Sequence, residues 1–106
     1  MSKHKTASYQ IEPGSRYPDG ATPVADGVNF SIYCRHATQV ELLLFDSAGS
    51  PQPFQVIALD ARLHRTFFFW HVLVVELPVG IHYAWRIDGP DNLQQSGFHF
   101  DRDKVM

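Results

Sequence analysis

A lone cysteine, Cys34, leaves the 106-residue chain without an internal disulfide, so its fold must rest on a packed core. Cys34 lies within an alternation of apolar and polar residues and reads as a small buried hydrophobe, not a reactive thiol. Long apolar runs are also missing. The longest, Phe67 to Val75, is interrupted by His71 and is far too short to span a bilayer. Met1 to Gln10 is polar and lacks the apolar centre of a secretory signal, which makes the cytoplasm the default location. The nine Lys and Arg, among them Lys3, Lys5, Arg16 and Arg35, are scattered against eleven Asp and Glu. A nucleic acid or an anionic membrane therefore finds no concentrated positive surface.

Reaction chemistry is equally scarce. Glycosidic cleavage needs two carboxylates flanking the scissile bond, and Asp46, Asp60, Glu76, Asp88, Asp91 and Asp101 all fall in turns or at strand ends, where Asp caps or stays solvated. The six histidines, His4, His36, His64, His71, His82 and His99, lack the short paired spacing of many zinc sites. His71 and His82 are expected to face each other across the Pro78-Val79-Gly80 turn as a packing pair. There is no Gly-x-Ser-x-Gly elbow and no phosphate-cradling glycine loop. The reading is of a chain with no catalytic residues, no metal and no cofactor of its own.

What is present is aromatic and alternating. Hydrophobic residues make up 44% and charged residues 19%, a balance that favours a globular domain over a disordered one. Residues 1–15 read as an extended or disordered lead-in, and 16–106 as one domain. From Val28 to Cys34 the residues alternate, with Val28, Phe30, Ile32 and Cys34 on one face and Asn29, Ser31 and Tyr33 on the other. Val40 to Phe45 is Leu-rich enough to be buried on both faces. Phe54 to Leu59 is a third strand, Thr66 to Leu77 a long fourth, and Ile81 to Asp88 a fifth, with Phe98 to Phe100 a short last one. No ten-residue stretch has helical periodicity. Several short strands at this spacing must cover an apolar face, which implies an all-β antiparallel sandwich.

The two tryptophans, Trp70 and Trp85, are the candidate platforms for a sugar, because an aromatic face stacks on the apolar face of a pyranose. Trp85 shares parity with Ile81 and Ile87, which favours the core. Trp70 has the opposite parity from Phe67, Phe69 and Leu73, and either face of that strand can be the buried one.

Several short motifs occur in a telling order: Asp19-Gly20-Ala21-Thr22; Gly27-Val28-Asn29-Phe30-Ser31-Ile32-Tyr33; Val40 to Asp46; Trp70-His71; Gly80, Tyr83 and Arg86-Ile87 leading to Gly89-Pro90; and Gly97-Phe98-His99-Phe100-Asp101 with Lys104. Together they resemble the N-terminal domain of isoamylases and bacterial glycogen-debranching enzymes of glycoside hydrolase family 13, classed as carbohydrate-binding module family 48. The resemblance runs from about Tyr17 to the end and implies an early-set immunoglobulin-like β-sandwich. It further implies a non-catalytic accessory domain beside a (β/α)8 barrel whose carboxylates cleave α-1,6-glucosidic branch points. Such a barrel takes about 250 residues, so none of it fits here. The ending at Lys104-Val105-Met106, where the family continues toward its barrel, points to an excised or truncated piece. Glycogen-binding relatives carry a tryptophan after the Asp-Gly turn, whereas Asp88-Gly89 leads here to Pro90-Asp91-Asn92. That departure fits a scaffold role. The implied partners are the barrel and α-glucan, with self-association through an exposed barrel-facing patch. A free-standing glycogen- or starch-binding module, or a protein-interaction module, is the alternative.

Overall fold

Side-chain alternation sorts the chain into two layers. A computed structural model describes residues 8–47, 49, 51–89 and 103–104. Among these, nine strands are formed: β1 (Ile11–Glu12), β2 (Gly20–Val24), β3 (Gly27–Tyr33), β4 (Gln39–Phe45), β5 (Gln55–Ala58), β6 (Arg65–Thr66), β7 (Phe69–Val75), β8 (His82–Asp88) and β9 (Asp103–Lys104). One sheet has the order β1-β7-β3-β2, with β6 also paired to β7; the other has the order β5-β4-β8-β9. Every pairing is antiparallel. The chain is thus an immunoglobulin-like antiparallel β-sandwich, as the alternation and the family resemblance imply.

The core fills the space between the sheets. Val28 and Phe30 of β3 with Trp70, Val72 and Val74 of β7 meet Val40, Leu42 and Leu44 of β4 with Tyr83 and Ile87 of β8. Phe30 reaches across the layers to set its ring edge-on to Tyr83, with centroids 5.0 Å apart. β4 is covered on its other side too: Leu43 and Phe45 are buried with Ala84 in a second, smaller cluster.

Three expectations change. Thr66 to Leu77 is two strands, because Arg65 pairs with Trp70 and Thr66 with Phe69, leaving Phe67-Phe68 as a two-residue hairpin loop. Two-residue loops favour Asn-Gly, Asp-Gly or a leading glycine, so two phenylalanines carry a strand signal into a turn. Pro78-Val79-Gly80 does not close a hairpin: β7 and β8 belong to different sheets, and His71 and His82 therefore do not face each other. On the face of β3 opposite Val28 and Phe30, Asn29 and Ser31 are buried while Tyr33 at the strand end is exposed. Ser15 and Arg16 cover Asn29 and Ser31, and the lead-in before them joins the sheet edge, where Ile11 and Glu12 pair with Val74 and Leu73. β2 adds a strand that the proline- and glycine-rich opening concealed. The expected strand Phe98 to Phe100 lies outside the described residues.

A polar seam fastens the lead-in. The Ser15 N–H donates to Asn29 Oδ1 at 2.8 Å, and Asn29 Nδ2 donates back to the Ser15 carbonyl at 2.9 Å. Ser31 Oγ donates to the Arg16 carbonyl at 2.8 Å. His71 Nδ1 lies 2.6 Å from the Pro13 carbonyl, which can only accept, so that nitrogen donates, and Nε2 is hydrogen-bonded to Thr66 Oγ1 at 2.8 Å. Three buried polar side chains thereby gain partners and hold a strap of backbone across the sheet.

Candidate carbohydrate-contacting surface

Both tryptophans turn toward the space between the sheets, one from each. Trp70 is 1% exposed, and the Arg65 guanidinium lies 5.5 Å from its ring centre, so no ring face is open to a sugar. Trp85 is half-buried and meets Phe30 edge-on at 6.4 Å. The structure does not bring the two together as an outward platform.

Several polar side chains are committed to local structure. His64 is buried, and its Nδ1 accepts the Asp60 N–H at 2.8 Å. Burial lowers the His64 pKa, the nearby His71 lowers it further, and Asp60 opposes both. Asp60 also accepts from the Arg62 N–H, which is the capping role its turn setting implies. Glu41 is paired with Arg86 on the outer side of the second sheet. Asp88 accepts the N–H of Gly89. Cys34 is half-buried, and burial pushes its thiol pKa up, which keeps it protonated and weakly nucleophilic. Among the described residues, no group of three His, Cys, Asp or Glu is placed to hold a metal ion.

Two surface features lie at opposite ends of the first sheet. Near the β2–β3 turn a groove of about 380 Å³ is lined by Pro23, Val24 and Val79 with Glu12, Asp26 and Glu76; it contains no aromatic ring. At the other end the Phe67-Phe68 loop projects beyond Tyr33 and Phe69, which are partners across β3 and β7. Tyr33 packs edge-on against Phe69 at 5.2 Å and against Phe68 at 6.1 Å. Arg16 stands 5.8 Å from the Phe69 ring, Arg35 5.8 Å from Phe68 and Arg65 5.9 Å from Phe68. Phe67 is 78% exposed and Tyr33 52%. Sequence reading missed this cluster because it assigned Phe67 and Phe68 to the interior of a strand. The available signal was Arg65-Thr66 directly after a polar stretch, a place for a strand to begin and reverse.

A two-sheet antiparallel sandwich with an exposed aromatic cluster belongs to the class of immunoglobulin-like β-sandwich modules. Residues 18–104 match the family Carbohydrate-binding module 48 (Isoamylase N-terminal domain), and the chain belongs to that family. The glycogen debranching enzyme of Cronobacter sakazakii is 35% identical over 97 residues, covering 92% of this chain and 14% of the relative. Chloroplastic isoamylase 3 of Oryza sativa subsp. japonica is 31% identical, covering 92% of this chain and 13% of the relative. This chain therefore spans roughly an eighth of the length of such relatives. Among solved structures, the pullulanase of Paenibacillus barengoltzii in complex with maltohexaose and alpha-cyclodextrin superposes with a TM-score of 0.60 at 15% identity, covering 74% of this chain and 12% of that one. The pneumococcal glycogen-degrading SpuA product complex gives a TM-score of 0.56 at 16% identity, covering 74% of this chain and 9% of that one. At these identities the likeness concerns the fold alone.

Proposed function

We propose that this chain acts as the accessory domain of an α-glucan debranching hydrolase, one that cleaves α-1,6-glucosidic bonds in glycogen or starch. In this role it supports a catalytic (β/α)8 barrel and contacts glucan, and it performs no chemistry itself. The observation that carries the reading is the family match over residues 18–104, together with relatives named glycogen debranching enzyme and isoamylase, most of whose length lies outside the matched segment. The arrangement of the chain's polar groups is consistent with it. Glu41, Asp60 and Asp88 are each engaged with a neighbour.

Affinity electrophoresis of the full chain in native gels cast with glycogen tests the contact, and a reducing-sugar assay on glycogen and pullulan tests the absence of chemistry. Retarded migration without sugar release is the expected pair of results. Release of reducing ends by the purified chain would overturn the accessory role, and unretarded migration would remove glucan contact from it.

A further inference from the structure

We infer that the glucan-contacting site of this chain is the aromatic and arginine cluster at the β6–β7 loop, and that neither Trp70 nor Trp85 forms it. The inference rests on the glucan-contact reading above and names the surface responsible. Pyranose recognition needs two things side by side: exposed aromatic carbon for the C–H face, and donors for the hydroxyl rim. Phe67 and Tyr33 supply the first, at 78% and 52% exposure. Arg16 and Arg35 supply the second. Their guanidinium groups lie against the rings of Phe69 and Phe68 and, among the described residues, donate to no acceptor.

The loop backbone adds an independent observation. Phe67 is held at φ 56°, a left-handed conformation that a bulky residue adopts only under strain. Local stability favours glycine there, while the ring it carries makes the surface more apolar. A residue that is unfavourable for folding and exposed to solvent points to a ligand. The Arg65 Nε donates to the Phe67 carbonyl at 2.7 Å and steadies the loop in that conformation. A second copy of the chain is a poor occupant, because docking this patch on itself would bring like-charged arginines together. The groove at the far end of the sheet lacks any ring on which a sugar could stack.

Titration of the ¹⁵N-labelled full chain with maltoheptaose tests the assignment. Amide shifts should gather at Tyr33 and Phe67 to Phe69. Phe67→Gly and Tyr33→Ala should each weaken binding by roughly tenfold, the order expected for losing one stacking ring. Phe67→Gly should at the same time keep or raise the unfolding temperature, which separates lost binding from lost fold. Shifts that centre on Trp85 and survive Phe67→Gly would overturn this site while leaving glucan contact intact. No shifts at all would sink both. Phe67-dependent self-association seen by light scattering, with no response to maltoheptaose, would overturn it in favour of a protein interface.

Discussion

Replacing Gly14 with alanine probes the strap that closes the outer face of the first sheet. Gly14 has φ 72°, and a Cβ there would lie 2.5 Å from Asn29 Oδ1 and 2.8 Å from both the Leu73 nitrogen and the Val72 carbonyl carbon. Two of these three atoms are backbone within a paired strand and cannot step aside. The left-handed conformation alone costs an alanine about 1–2 kcal/mol. To relieve the clash the strap must lift, which forfeits its four hydrogen bonds from Asn29, Ser31 and His71. At about 1 kcal/mol net each that loss is about 4 kcal/mol, partly offset by the chain entropy that the freed residues regain. We expect Gly14→Ala to cost about 3 kcal/mol in all, or about 15 °C in Tm for a domain of this size. Gly80 is the control: its φ is 94°, yet a Cβ there meets nothing within 4 Å, so only the backbone cost of about 1 kcal/mol applies. Thermal unfolding followed by circular dichroism measures both variants. Hydrogen exchange at Val75, whose N–H donates to the Gln10 carbonyl, reports whether the lead-in has come loose. Equal losses for Gly14→Ala and Gly80→Ala would refute the close approach and, with it, the strap.

Three further outcomes follow from the same fold. His64 has a pKa below its ordinary value in the folded chain, so the unfolded chain takes up a proton first as pH falls. Its contribution is fully present above about pH 6.5 and is lost as pH drops from there toward the folded value. Denaturant titrations between about pH 5 and 8 should show that slope, flattened in His64→Asn, whose amide oxygen can still accept the Asp60 N–H. The Glu41–Arg86 pair is partly exposed, with 19% and 38% side-chain accessibility, so a double-mutant cycle on Glu41→Gln and Arg86→Met should return a coupling of about 1 kcal/mol or less. Phe67→Gly should stabilise the chain by up to about 1 kcal/mol in urea denaturation, because glycine occupies the left-handed region without strain.

Where one side of a strand meets the core, the period-two pattern located the fold well. Val28 and Phe30, and Tyr83 and Ile87, sit where alternation placed them, since a strand shows its two faces on strictly alternate residues. The pattern failed at Phe67-Phe68, because strand propensity and turn chemistry disagree there and the turn prevailed. Pairing Arg65 and Thr66 back onto Trp70 and Phe69 satisfies backbone groups that a straight strand would leave without partners. The surface proposed to meet glucan was hidden for that same reason.

Alternation, turn residues and ordered motifs were enough to determine a two-layer antiparallel domain of family 48, because these are local or linear properties of the chain. Tertiary structure alone decided which sheet each strand joins, that Trp70 is enclosed, and that the lead-in crosses over Asn29, Ser31 and His71. Those outcomes depend on contacts between residues far apart in sequence. Alternation only sets Asn29 and Ser31 opposite Val28 and Phe30, and it takes the distant Ser15 and Arg16 to bury them. No window along one strand contains both partners.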